Sequence, residues 1–288
     1  PFFGHFFKWR QAAQVLREAG QTWQPFGGAG YFVLLAVLVL ATLAALAIIL
    51  LDPNVLAHGR FITGDLPLVL FFTLALYAFW RWARRSRGRS PSAALSLRRG
   101  PGAYLLLAGL GLGLAAAAKF NAALLGPILL LWAGALARRR RSATPLLALL
   151  LTGVVAWLAI WVVYGFSFWR GWLPGGAFWD DVLWQLTYVG DQHGVYLLGQ
   201  ISPTGWLAYF PIAFALKTPL LTLAMPIGAL FLVVKQRSRP AILYLLVPAA
   251  IYFAGSMIVA LNIGYRYLLP ILPLLAVLAA TALVTADP

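Results

Sequence analysis

Charge-free apolar runs of about twenty residues recur along this chain, and no other feature limits its fold as severely. The clearest is residues 30–51, GYFVLLAVLVLATLAALAIILL. A hydrocarbon layer ~30 Å thick takes roughly 20 helical residues to cross. Inside that layer every backbone N–H and C=O must be satisfied by a helix or a closed barrel. Barrel strands alternate apolar and polar residues, and these runs do not. The 288 residues are 62% hydrophobic, with a mean hydropathy of +0.85, more than a soluble domain of this size folds around one core. The expectation is an all-α, polytopic transmembrane helical bundle with about eight spans: 30–51, 66–82, 103–118, 121–137, 145–165, 205–234, 241–261 and 267–285. The sixth is long and carries Pro211, Pro219 and Pro226, so kinks are expected there.

Charge sorts the loops. Three clusters of basic residues follow the second, fourth and sixth spans, at 81–99, 138–141 and 235–239, and Lys8, Arg10 and Arg17 precede the first. If every span crosses once, these 17 of the 22 basic residues share one face, the cytoplasmic one by the positive-inside rule. The formal charge of +15 therefore reports orientation rather than nucleic acid. Arg60, Lys119, Arg170, Lys217 and Arg266 are left for the outer face or the spans near it, with five of the seven acids. Residues 1–29 read as a cytoplasmic or interfacial segment, and 30–285 as one transmembrane domain. Within it, 166–204 reads as an aromatic-rich outer lid or amphipathic segment, and 81–100 as a flexible cytoplasmic loop. Cysteine is absent, which removes disulfides and thiolate-bound metal. The three histidines, His5, His58 and His193, are too few for a His-rich metal site. A divalent ion held by carboxylates stays open as a cofactor.

Four places carry candidate chemistry. The stretch from Asp52 to Pro67 packs two carboxylates, His58 and Arg60 into one outer turn; Asp65 is either a catalytic carboxylate or an ordinary helix cap. Lys119, followed by Asn121, sits at the apex of a hairpin with short arms, where an ammonium either snorkels or meets an anion. Lys217 lies twelve residues into a predicted span, with an ion pair or an exogenous anion as partner. Arg266, between Tyr265 and Tyr267, suits bidentate phosphate recognition or simple interfacial anchoring. Cations converging at an outer face fit a lipid phosphate.

Four blocks then resemble the protein O-mannosyltransferase superfamily, which includes bacterial aminoarabinose transferases. They are LAHGRFITGDLPLVLFFTLALYAFWRW, GLGLGLAAAAKFNAALLGPILLLW, HGVYLLGQISPTGWLAYFPIAFALKTPL and LNIGYRYLLPILP, in that order across most of 57–273. The resemblance implies a GT-C glycosyltransferase of the bacterial inner membrane. Its partners are a polyprenyl-phosphate sugar donor, a protein, lipid or glycan acceptor, and the surrounding membrane lipids. It implies Arg60 and Asp65 at the catalytic cavity and Lys119, Lys217 and Arg266 at the donor phosphate. His193, Tyr265 and Asn121 fall on the substrate or lid side. Gln200 stands where bacterial relatives carry Glu. The family's catalytic acidic pair lies in its first outer loop, upstream of these blocks; the chain, starting at Pro1, is expected to be a fragment without it, inactive by itself. A flippase for lipid-linked sugars and a non-catalytic assembly protein are the alternatives.

Overall fold

The computed structural model describes residues 39, 42–43, 45–47, 49–59, 63–98, 100–169, 173–190, 194–220, 222–224, 240–258 and 264–285. The chain forms two compact units. The first comprises Pro1–Leu56, Thr218–Ala249 and Leu272–Pro288, and the second Ala57–Lys217 and Ala250–Ile271.

In the first unit, Asp52 is buried immediately before the short helix α1 (Pro53–Gly59). Its Oδ1 accepts hydrogen bonds from the backbone N–H of Asn54 (2.8 Å) and of Val55 (3.4 Å), and Oδ2 accepts from the Thr222 hydroxyl (3.4 Å). Pro53 at the first helical position lacks an N–H that a helix start leaves unpaired anyway. Asp52 is thus a helix cap.

The second unit is built on four apolar helices, α2 (Asp65–Arg85), α4 (Ala103–Ala118), α5 (Leu125–Arg140) and α6 (Thr144–Val163). On α2, Leu68, Phe72, Ala75, Phe79 and Trp82 repeat at intervals of three and four and are all buried, as one helical face requires. Leu70 and Tyr77, on the other side, are exposed. On α6 the usual distribution is inverted. Ala148, Thr152, Ala156 and Ala159 face inward, while Leu146, Leu147, Leu150, Leu151, Val154, Leu158 and Val162 are exposed. Small residues inside and large aliphatics outside suit a helix whose surroundings are lipid, because close backbone approach rather than the hydrophobic effect holds such helices together. Helix α4 packs along both α2 and α6 through glycines on alternating sides: a Cβ on Gly111 would meet the backbone of Phe71 and Ala75, and one on Gly109 or Gly113 the backbone of α6.

Among the described residues, three helical stretches are long and apolar enough to span a membrane, Asp65–Arg85, Phe120–Arg140 and Thr144–Val163. Three shorter apolar ones, Ala103–Ala118, Ile242–Ile258 and Tyr265–Leu278, accompany them. The protein is an all-α helical membrane protein. The span expected at 205–234 is broken early: α8 (Tyr209–Lys217) ends just before Thr218-Pro219, and most of the remainder lies outside the described residues. Proline blocks the αR conformation of the residue before it.

One expectation for the loops needs correction. The segment 81–100 is not a flexible loop. Helix α2 continues to Arg85, and a second short helix, α3 (Pro91–Leu95), starts with the Ser90 hydroxyl accepting from the Ala93 N–H. The Trp82 indole N–H donates to the Ala94 carbonyl (3.0 Å), and Ala94 is buried. The stretch after α6, expected as an aromatic-rich lid or amphipathic segment, has regular structure. It contains helix α7 (Gly176–Gly190) and two antiparallel ribbons, β1 (Phe168–Trp169) with β2 (Leu173–Pro174), and β3 (Val195–Leu197) with β4 (Gln200–Ser202). Leu198 (φ 47°) and Gly199 (φ 89°) close the second ribbon, the left-handed pair that a two-residue hairpin turn demands.

At one end of this unit α2 and α5 finish side by side. The Arg140 guanidinium donates to the Ser86 hydroxyl (2.9 Å) and to the Ala83 carbonyl, and lies 5.7 Å from the centroid of the Trp82 ring. This end carries Arg84, Arg85, Arg87, Arg89, Arg98 and Arg138 to Arg141. The opposite end, where α2 begins and α4 stops, carries Asp65 and Lys119.

Candidate active site

Helix α2 begins without a side-chain cap. Gly64 precedes it, and a Cβ there would strike the Ala118 carbonyl. The chain therefore needs glycine at 64 to bring the start of α2 against the last turn of α4. Asp65 follows at the positive end of the α2 dipole, where a carboxylate is favoured, but its side chain makes no capping bond. It is 2% exposed and forms an ion pair with Lys119. Of the two readings of Asp65, the ordinary cap is the one this geometry sets aside; Asp52 does that work in α1.

Lys119 reaches Asp65 because α4 stops there. Its 16 residues span about 24 Å, short of the ~30 Å of a hydrocarbon core. Lys119 then adopts an extended conformation (φ −165°, ψ 140°) before a 3-10 turn, Phe120–Leu124, leads into α5. Its ammonium lies 4.6 Å from the centroid of the Tyr267 ring, a cation–π distance. Arg266 is near enough to act on Lys119 as a like charge. Both Arg266 and Tyr267 belong to the 3-10 helix Tyr265–Ile271, which packs on α2. Asn121 donates from its amide to the Tyr252 hydroxyl (3.4 Å), and Tyr252 is buried with its ring edge-on to Phe72 at 5.1 Å. The negative charge of Asp65 also reaches Tyr252.

Three side-chain atoms in these same segments are buried with no hydrogen-bond partner among the described residues: Thr63 Oγ1, Asp65 Oδ2 and Arg266 Nε. Buried polar atoms are rarely left so. Among the described residues no three His, Asp or Glu side chains come together.

Beyond α6 the same end is aromatic. Trp157, Phe178 and Trp179 pack on one another, and the Tyr164 hydroxyl donates to Asp181 (3.0 Å). Burial first, and then the Asp181 carboxylate, push the Tyr164 phenol up to about 12, so it stays a neutral donor.

Of the residues singled out from the sequence, Asp65, Lys119 and Arg266 come together, with Asn121 at their side through Tyr252. The Tyr265 ring is buried against Phe214, stacked at 6.4 Å with planes 9° apart. Lys217 is exposed at the last residue of α8, three positions beyond Phe214. Arg60 and His193 lie outside the described residues. The sequence does not single out Tyr252, Tyr267 or Thr63. Tyr267 had a signal, as a tyrosine flanking Arg266. Tyr252 had none, since an aromatic in an apolar helix is ordinarily core.

A family model described as dolichyl-phosphate-mannose-protein mannosyltransferase matches residues 29–172, half of the chain, a range that includes Asp65 and Lys119. No curated protein and no solved structure matches the chain. The chain belongs to the dolichyl-phosphate-mannose-protein mannosyltransferase family, membrane glycosyltransferases that draw on a polyprenyl-phosphate-linked sugar donor.

Proposed function

We propose that this chain carries the donor-binding part of a glycosyltransferase working at the membrane face opposite its arginine-rich end. The observation that carries this reading is the buried Asp65–Lys119 pair with Arg266 beside it. Two cations, one with an N–H unused among the described residues, suit the phosphate of a lipid-linked sugar. The arginines at the other end of the unit set the orientation by the positive-inside rule, which puts Lys119 on the outer side.

In the reaction, an acceptor hydroxyl attacks the anomeric carbon of the sugar from the face opposite the phosphate. The C–O bond to the phosphate breaks, its electron pair leaves with the lipid phosphate, and the configuration inverts. Lys119 and Arg266 stabilise the charge that grows on that oxygen. By family resemblance the carboxylate that polarises the acceptor hydroxyl and takes its proton belongs to the acidic pair of the first outer loop, and Asp65 flanks that cavity while holding Lys119. The family description names a protein acceptor, and the chemistry is the same for a lipid or glycan hydroxyl. Arg60 and Lys217 take supporting roles at the donor by family resemblance.

The test is transfer of radiolabelled sugar from a polyprenyl-phosphate donor, with covalently labelled acceptor as the readout. Each lost charge-assisted bond is worth about 1.5–3 kcal/mol, so Lys119→Ala and Arg266→Ala each raise the donor KM about 10- to 100-fold. Label that crosses the bilayer without joining an acceptor would make the protein a flippase instead.

A further inference from the structure

The outward side of α2 ends in arginine. Opposite the buried row of Leu68, Phe72 and Phe79, Leu70 and Tyr77 are exposed. Continuing that stripe by four and seven residues brings Arg81 and Arg84. From Leu70 to Arg81 the helix rises about 16 Å, roughly one leaflet of a ~30 Å hydrocarbon core. The stripe therefore runs the length of one acyl chain and finishes where a phospholipid carries its phosphate.

At that level Arg81 donates from Nη2 to the hydroxyl of Tyr104, in the first turn of α4 (3.4 Å). Its guanidinium lies 5.6 Å from the centroid of the Tyr104 ring and 5.9 Å from that of Tyr77. Arg85, one turn further along, approaches the same Tyr104 ring at 5.2 Å. Two like charges thus share one aromatic ring. Residues 66–179, which supply this end of the unit, contain no aspartate or glutamate. Topogenesis asks for positive charge on this face, but not for two guanidiniums converging on one tyrosine. Convergence suits a phosphate, which takes paired N–H donors from arginine, and tyrosines are at home at headgroup level.

We propose that α2 and the start of α4 form a site for an anionic phospholipid, with its phosphate between Arg81 and Arg85 and an acyl chain along Tyr77 and Leu70. The apolar stripe below the arginines selects a lipid over a soluble phosphate. This site lies at the end of the unit opposite Asp65 and Lys119 and does not depend on the role given to them. A lipid held there ties α2 to α4 and supplies the negative charge that residues 66–179 lack.

The test is native mass spectrometry of the protein released from nanodiscs holding equal amounts of phosphatidylglycerol and phosphatidylcholine. One phosphatidylglycerol is retained, favoured over phosphatidylcholine about ten- to thirty-fold, as expected for two arginines near an anionic surface. Arg81→Gln with Arg85→Gln brings the preference close to even. Arg138→Gln with Arg139→Gln removes the same charge from the same end and leaves the preference in place. Equal loss in both double variants would mean diffuse surface charge and no site, and overturns the proposal. A second measurement uses the unaltered protein alone. Its Tm in phosphatidylcholine nanodiscs rises by several degrees as phosphatidylglycerol is added, and the tail-less headgroup glycerophosphoglycerol at millimolar concentration neither reproduces nor reverses the rise. No rise with the lipid, or the same rise with the soluble headgroup, overturns it.

Discussion

Changing a glycine to alanine inside a helix normally stabilises it, and here the sign depends on which glycine is changed. Gly113 lies in α4 facing α6. A Cβ built on it meets the Ala156 carbonyl oxygen, and lies 2.8 Å from the Ala159 Cβ and 3.0 Å from the Ala156 Cα. Carbon atoms settle at about 3.5–4.0 Å, so α4 must back away from α6 by roughly half an ångström or more. Overpacking of this kind costs about 1–3 kcal/mol. The helix propensity gained by replacing glycine returns about 1 kcal/mol. Gly134, in α5, has nothing within 4 Å of its added Cβ, so it keeps the gain and suffers no clash. The two variants should differ by about 1–3 kcal/mol in opposite directions from the unaltered protein. In thermal unfolding of nanodisc-embedded protein, that is a separation of several degrees in Tm. Because α4 ends at Lys119, Gly113→Ala should also slow sugar transfer, while Gly134→Ala leaves it alone. Equal shifts for the two variants would refute the packing of α4 between its neighbours.

Other consequences follow from single contacts. Arg140→Ala strips the Ser86 hydroxyl and the Ala83 carbonyl of their donor and should cost about 1–3 kcal/mol in denaturant unfolding, with sugar transfer at permissive temperature retained. Asp52→Ala removes the α1 cap and the partner of Thr222, for a loss of about 1–2 kcal/mol. Tyr252→Phe takes away the acceptor of the Asn121 amide; a cost near 1 kcal/mol in stability is expected, with kcat for transfer lowered more than the donor KM is raised.

Much of this was legible in the sequence because lipid imposes so few solutions. The helix 103–118 was placed to the residue by its glycine-rich apolar run and the lysine that ends it, and the α2 and α6 boundaries fell within three residues. Asp65, Lys119 and Arg266 were legible as charges out of place in an apolar chain. What a sequence could not show is pairing across 54 residues: nothing at position 65 says that its carboxylate meets Lys119 rather than its own helix N-terminus. Nor could it separate Tyr265 from Tyr267. A 3-10 helix sends residues two apart in different directions, one ring to Phe214 and the other to Lys119. Arg140 looked like one more topogenic charge, and its role in closing α2 depends on where α5 ends in space.

The central claim is that a prenyl phosphate sits against Lys119 and Arg266. The most direct measurement is photo-crosslinking with a polyprenyl phosphate carrying a diazirine next to the phosphate, followed by peptide mapping. The account predicts adducts on the peptides that contain Lys119 and Tyr265–Tyr267, competed away by unlabelled geranylgeranyl phosphate. Adducts confined to the arginine-rich segments around Arg85 and Arg140 would contradict it.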